Sequence, residues 1–361
     1  MKVYRIAIIG CGRIAGHHCR AIIATIGLEL VAVCDLEIEK ANTYHDEFDI
    51  PAFSNYHSML TEITDVDIVA IMTPSGMHLE HSLDILKIYK KHIIVEKPTF
   101  MKPSQLNEAY RVAGKLGLKI FPVFQNRHNL AVQRVKKALI QGELGDIRVI
   151  GVRVRWCRPQ RYYDLAAWRG TLSHDGGALS NQGIHHIDLL RYLGGEVSKV
   201  NATMRTLGSN IEAEDTVVSS FTYENKAVGS LEVTTAARPD DFEASISIIG
   251  SKGLAQIGGI AVNELQIFTP DIDECHKHSE DFSSCIYGEG HFVLYKDIFH
   301  SMKTDAAFSV SQDDCLRSIR LLHAFYRSDE KNNWQVVDED GESIRLGMEN
   351  NKISKLYRTI K

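Results

Sequence analysis

No apolar run in the 361 residues is long enough to span a bilayer, which excludes a helical membrane anchor. The seven cysteines contain no C-x-x-C pair and are odd in number, so reduced thiols in a cytoplasmic protein fit them better than a disulfide framework. Charge of one sign is not in excess: the net charge is −5 with acids and bases interspersed, which argues against a nucleic-acid footprint. Internal repeats and low-complexity segments are missing as well. Met1-Lys2-Val3-Tyr4-Arg5 leads straight into a short strand and lacks the layout of a signal peptide, again as expected of a cytoplasmic chain.

What is present is an ordinary globular composition, 44% hydrophobic and 24% charged, spread over more residues than one hydrophobic core usually serves. Two domains are expected, residues 1–123 and 124–361. The apolar run Arg5 to Ile9 ends in Gly10-Cys11-Gly12-Arg13-Ile14-Ala15, a G-x-G-x-x-A pattern between a strand and the helix-like stretch Ile14 to Ile26. The first glycine permits a tight turn, the second lets backbone approach a pyrophosphate, and a small third residue lets helix and strand pack closely. The segment Gly10 to Ile14 would then hold phosphates at a helix N-terminus. The next strand, Leu30 to Cys34, ends at Asp35, at roughly the 20-residue distance of the acid that binds ribose hydroxyls. An acid there repels a 2′-phosphate, so the expected cofactor is NAD and not NADP. A glycine turn in some other α/β protein is the competing reading.

Strand and helix continue to alternate: Asp67 to Met72, Met77 to Tyr89, His92 to Val95, Pro103 to Leu116 with its proline in the first turn, and Lys119 to Val123. This pattern predicts a parallel, doubly wound sheet. Such sheets bind ligands at the carboxyl ends of their strands, which makes Thr73, Pro74, His78, Glu96 and Lys97 further cofactor-binding candidates. His78 could equally be a helix-start histidine with no ligand. In Ile93-Ile94-Val95-Glu96-Lys97-Pro98 a buried strand runs into a carboxylate, an amine and a proline. Proline cannot extend a sheet ladder and biases the residue before it towards extended backbone. Lys97 is thereby held at the strand's end, near a bound cofactor, where it can donate a hydrogen bond to a substrate oxygen. A strand-ending surface ion pair is the bland alternative.

Beyond about residue 124 the pattern changes. The polar cluster Gln125-Asn126-Arg127-His128 supplies Asn126 as a candidate for the substrate or the nicotinamide end. A helix is predicted over Leu130 to Ile140. β-rich runs then follow at Ile147 to Arg155, Val197 to Met204, Thr216 to Tyr223, Ala227 to Thr234 and Ala244 to Ile249, with no helices between most of them. They predict an antiparallel sheet in a second domain of α+β type. The tail after Ser328 carries one β-prone piece, Trp334 to Val337.

The second dense region is His174 to Leu190. Its leucines predict a buried helical stripe running to Leu193, on which Asn181, His185 and Asp188 share a face. Gly176-Gly177 would let backbone approach a ligand. Histidine is the natural proton carrier near neutral pH, so His185 is a candidate general base. A core histidine bonded to Asp188 for packing is the alternative. His186 points roughly 100° away and reads as structural. Tyr162-Tyr163 and Trp168-Arg169-Gly170 form an aromatic–arginine group suited to a sugar or phosphate, with Tyr163, Trp168 and Arg169 as substrate candidates. Cys275, His276, His278, Cys285 and His291 fit no standard zinc spacing in a loop-like segment; a metal at His185-His186-Asp188 is the other alternative, disfavoured because hydride transfer from a secondary alcohol to NAD can run on an amino-acid base alone, so no metal is expected.

Taken together, Gly10-x-Gly12-x-x-Ala15, Asp35, Glu96-Lys97-Pro98 and Gly177-x-Leu179-x-Asn181-x-x-x-His185-x-x-Asp188 resemble the glucose–fructose oxidoreductase and inositol dehydrogenase family. The resemblance runs from residue 3 to at least 330. It implies a Rossmann domain followed by a domain with a large open-faced sheet, through which subunits pair into dimers or tetramers. It places the family's motif lysine on Lys97 and its catalytic histidine on His185. The family's usual aspartate falls on Asn181, which cannot take a proton; Asn181 is left to orient the reacting oxygen or His185. The run Asn181 to Asp188, with Trp168-Arg169-Gly170-Thr171 and Ile211 to Thr216, is similar to the branch that oxidises UDP-N-acetylglucosamine or its uronic acid at C3. The implied activity is NAD-dependent oxidation of a secondary hydroxyl of a sugar. A dehydrogenase of a free sugar or polyol such as inositol, an NAD-dependent glycosidase and a non-catalytic NAD or sugar sensor are the alternatives.

Overall fold

The computed structural model describes residues 2–282, 288–338 and 341–359. Six parallel strands form the first sheet: β1 Tyr4–Ile9, β2 Leu28–Cys34, β3 Ala52–Phe53, β4 Ile68–Ile71, β5 His92–Val95 and β6 Ile120–Pro122, in the order β3-β2-β1-β4-β5-β6. Strand order reverses on either side of β1, which carries the glycine turn at its carboxyl end. That is where open α/β sheets leave a crevice. Ile6, Ala7, Ile8, Val69, Ala70, Ile93 and Ile94 are all fully buried, as strands covered on both faces require.

Helix ends follow local chemistry. Pro103 starts the helix Pro103–Leu116, and Gly117, at φ +67°, ends it. The first helix, Ala15–Ala24, is shorter than expected. Thr25 turns extended, its hydroxyl donating to the Ala21 carbonyl, and Gly27 follows at φ +95° against the Phe299 ring. The stretch Met77 to Tyr89 is three pieces: a 3₁₀ turn Ser75–Met77, an α-helix His78–Asp84 and a π-turn Ile85–Tyr89. With the extra residue taken up in that π-turn, Ile85 and Leu86 are both fully buried.

The second sheet has eight strands: β7 Ile147–Arg155, β8 Val197–Arg205, β9 Thr216–Tyr223, β10 Val228–Thr234, β11 Glu243–Gly250, β12 Leu254–Gly258, β13 Glu264–Phe268 and β14 Gln335–Val336. Their order is β13-β12-β11-β7-β10-β9-β8-β14, and every neighbouring pair is antiparallel except β7 with β10. The expected α/β domain and mainly antiparallel α+β domain are both there. Strands β12 and β13, and the helices Gly290–Thr304 and Gln312–Lys331, were not anticipated. One face of this sheet is covered. Helix Ile184–Gly194 packs on it closely enough that a Cβ at Gly194 would stand 2.6 Å from Ile150 and Tyr223 side-chain atoms.

The chain forms two compact units. One comprises Met1–Val123, His291–Leu316 and Glu349–Lys361; the other comprises Phe124–Gly290 and Arg317–Met348. The change at Val123/Phe124 falls where the sequence pattern changes, but two later segments return to the first unit. Leu294, Tyr295 and Ile298 join its core beside Ile6, Ile22 and Phe121, and the Tyr4 hydroxyl donates to the Met302 carbonyl at 2.6 Å.

Candidate active site

In the first unit the glycine turn has the geometry the motif demands. Gly10 lies at φ +95°, and a Cβ there would stand 2.6 Å from the Met72 carbonyl oxygen. A Cβ at Gly12 would meet nothing within 4 Å, so this backbone is open to the approach of another group. Arg13 is exposed, and Ile14 begins the helix Ala15–Ala24 with no side-chain cap and no acid in the first turn. The resulting field favours an anion. Asp35 stands against the same turn: its Oδ2 accepts from Cys11 N at 2.8 Å and its Oδ1 from Glu37 N at 3.0 Å. These residues fit a dinucleotide.

Two other cofactor candidates are committed to the protein itself. Both ring nitrogens of buried His78 face backbone carbonyls, Nδ1 that of Pro98 at 3.0 Å and Nε2 that of Thr73 at 2.9 Å. Burial pushes its pKa down. His78 therefore ties the turn after β4 to the turn after β5. Thr73 presents its hydroxyl to His81 Nδ1 at 2.9 Å, and Pro74 precedes the 3₁₀ turn in extended backbone.

Glu96 is an anchor. Its Oε1 meets His18 Nε2 at 3.0 Å and its Oε2 accepts from Lys97 N at 3.1 Å. Burial alone would raise the carboxyl's pKa; the His18 hydrogen bond and the neighbouring positive charges outweigh it and hold it at about 2. His18 Nδ1 in turn meets the Tyr295 hydroxyl at 2.9 Å. The half-buried Lys97 thus follows a fixed anion at the end of β5. His18, Glu96 and His291 bring potential metal-ligand atoms within 4.8 Å of one another. Hydrogen bonds to Tyr295 and Glu96 engage both His18 nitrogens, and the His291 ring stands edge-on to that of His18. Of the Cys/His group, Cys285 lies outside the described residues.

In the second unit the predicted continuous helix is broken. Gly177–Asn181 and Ile184–Gly194 are separate helices. The turn at Gly183 brings its Cα so close to Leu179 that a Cβ would stand 2.8 Å from the Leu179 carbonyl oxygen. Asn181 and His185 therefore lie on successive helices. Asp188 is turned to Arg127, whose Nε and Nη2 each donate to it at 2.7 Å, with the Ser318 hydroxyl at 3.0 Å. His185, 8% exposed, has Nε2 at 3.3 Å from the Gln125 amide nitrogen and packs its ring on Phe124. An amide donating there keeps Nε2 an acceptor, the form that can take a proton. His186 is fully buried beside Trp156, with its pKa pushed down to about 4 by burial.

The aromatic–arginine group is real, but one member changes. The Tyr163 hydroxyl is buried against Thr235 Oγ1 at 2.8 Å. It is Tyr162 that faces Arg169: the guanidinium lies 4.3 Å from the Tyr162 ring centre and 4.6 Å from that of Trp168. Asn126, half-buried, sits in a 3₁₀ turn between Gln125 and Arg127. Gln125, Arg127 and Tyr162 were missed because sequence places a polar cluster without saying which member faces which way. A hollow of about 400 Å³ lined by Phe242, Glu243, Asn263, Glu264 and Phe282 contains none of these residues.

Residues 4–124 match the oxidoreductase family with an NAD-binding Rossmann fold, and residues 132–256 match the GFO/IDH/MocA C-terminal domain. The chain belongs to the GFO/IDH/MocA family. It is an NAD-dependent oxidoreductase. The WlbA dehydrogenase of Bordetella pertussis, solved with NADH and UDP-GlcNAcA, aligns with a TM-score of 0.88 at 34% identity, over 94% of this chain and 99% of that one. The D-glucoside 3-dehydrogenase of Escherichia coli is 29% identical over 254 residues, 64% of this chain and 70% of its own length. The glucose-6-phosphate 3-dehydrogenase of Bacillus subtilis is 28% identical over 258 residues, 69% and 72% of the two chains.

Proposed function

We propose that this GFO/IDH/MocA oxidoreductase oxidises the C3 hydroxyl of a nucleotide sugar, UDP-N-acetylglucosamine or its uronic acid. Bound NAD supplies a hydride acceptor at nicotinamide C4. Lys97 donates a hydrogen bond to the reacting oxygen and stabilises alkoxide character as it develops. His185 accepts the hydroxyl proton at Nε2, where the substrate hydroxyl takes the place of the Gln125 amide. Asn181 orients the oxygen or the imidazole. Arg169, held between Tyr162 and Trp168, offers a planar fork to a phosphate or carboxylate. The observation that carries this reading is the likeness, over 94% of the chain, to a dehydrogenase solved with NADH and UDP-GlcNAcA.

A second reading is oxidation of a simpler sugar at C3. The similarity to dehydrogenases of a D-glucoside and of glucose-6-phosphate favours it. A panel of UDP-sugars, free sugars and polyols with NAD, followed at the NADH band, separates the two. Turnover confined to free sugars would overturn the nucleotide-sugar assignment.

Self-association through the open face of the eight-stranded sheet belongs to the same proposal. Val149, Val218, Val228, Ile249 and Leu254 are each at least 36% exposed on strands whose alternate residues are buried. Val228, Val149, Ile249 and Leu254 are successive partners across four strands, an apolar row on a face that also carries the Arg155 ion pairs with Glu232 and Glu243, and such a row suits a second copy of the chain.

A further inference from the structure

We infer that Asp175 is a positioning residue: it locks the Asn181 amide so that the carbonyl oxygen, not the NH₂ group, is turned away from it as a fixed acceptor. This rests on the dehydrogenase reading above, in which Asn181 orients the reacting groups. Asp175 is 1% exposed and Asn181 8%. Asn181 Nδ2 donates to Asp175 Oδ1, while Asp175 Oδ2 accepts from Gly170 N at 2.6 Å. Both Asp175 oxygens are used as acceptors, Oδ1 from the Asn181 amide and Oδ2 from Gly170 N, so the NH₂ side of the amide faces the carboxyl group. The carbonyl oxygen then diverges from the NH₂ by the fixed geometry of the planar amide. It is presented on the side away from Asp175, where it can accept from a hydroxyl or an imidazole N–H.

The rest of the loop explains why the carboxylate does not turn aside. Asp175 N donates to the Thr171 carbonyl at 3.1 Å, as does Gly176 N at 2.8 Å. The Gly170 bond joins it to the turn carrying Trp168 and Arg169. Gly176 and Gly177, at φ +80° and +81°, then let the chain enter the helix that ends at Asn181. One carboxylate therefore links the proposed substrate-binding turn to the proposed orienting amide.

The logic requires one carboxylate and one amide at these two positions, with an oxygen of residue 181 presented away from 175. Asp175→Asn removes the discrimination, since either amide can then donate or accept; kcat should fall roughly 10- to 100-fold with the Kd for NAD unchanged. Asn181→Asp sets two carboxylates face to face and should be impaired most at high pH, where both ionise. The double variant Asp175→Asn with Asn181→Asp restores the pairing in reverse and should regain kcat to within about tenfold of the wild type, with a new acid limb in its pH profile. A double variant no better than Asp175→Asn, or a single Asp175→Asn with the wild-type kcat, overturns the inference. A second readout stands apart from activity. In ¹⁵N-asparagine-labelled protein the Asn181 side-chain amide protons should exchange with solvent about tenfold or more slower than in Asp175→Asn. Equal exchange overturns the lock even where no substrate turns over. Slow exchange in a protein that oxidises no sugar supports the lock and removes the dehydrogenase reading alone.

Discussion

At the residue scale, groups proposed to react differ from groups that hold. Lys97→Ala and His185→Ala should each lower turnover by at least about 100-fold while leaving NAD binding near normal, because neither belongs to the glycine turn. Cofactor titration by fluorescence alongside steady-state rates checks this; near-normal rates in both would remove the assignments. Glu96 belongs to the holding class. Its folded-state pKa of about 2 lies below the ordinary 4.5, so the contribution of its pairing with His18 is fully present above pH 4.5 and is lost as pH falls towards 2. Removing one partner leaves a buried charge uncompensated. His18→Ala should therefore destabilise the protein by about 3–5 kcal/mol at neutral pH, with a shallower loss of stability between pH 4.5 and 2 than the wild type. Urea unfolding across that range reads both. The motif carboxylate and lysine were legible as a pair in the sequence. The fact that the carboxylate faces His18 was not, because a helix residue and a strand-end residue 78 positions apart carry no local signal of contact.

At the scale of elements, what was legible depended on punctuation. Pro103 and Gly117 delimit one helix and compact β-prone runs mark β7 and β9, so all three are legible to the residue. The break at Gln182-Gly183 is not, because Leu179, Leu189, Leu190 and Leu193 keep a helical stripe going across it. The short helix Gly177–Asn181 survives by docking on Glu214. Leu179 N and the Tyr326 hydroxyl both reach Glu214 Oε1, at 3.0 and 2.8 Å. Burial pushes this carboxyl up to about 8 despite those hydrogen bonds. A carboxyl whose pKa is raised on folding favours the folded state when protonated. Its contribution is full below about pH 4.5 and is lost as pH rises towards 8. Glu214→Gln mimics the protonated form. It should match the wild type in thermal stability near pH 5 and exceed it near pH 8.5; parallel melting curves without that crossover would contradict the assignment.

At the scale of the whole molecule, the change of grammar near residue 124 was visible because helix-separated strands give way to strands joined directly. The return of His291–Leu316 and Glu349–Lys361 to the first unit was not. An amphipathic helix announces that it is buried, not which core receives it. No described helix is long and apolar enough to cross a membrane. If the open sheet face pairs copies, light scattering should give a mass at least twice 40.5 kDa, and Val218→Glu with Val228→Glu should lower it without abolishing NAD binding. A monomeric wild type would remove that proposal and leave the chemistry untouched. The central claim, oxidation of a nucleotide sugar at C3 with His185 as base, is tested most directly by incubating the wild type and His185→Ala with NAD and UDP-N-acetylglucosamine or its uronic acid. The NADH band and the C3 carbon would be followed together. The account predicts NADH and a C3 ketone in equal amounts from the wild type and neither from His185→Ala; a hydrolysed sugar without net NADH, or oxidation at another carbon, would contradict it.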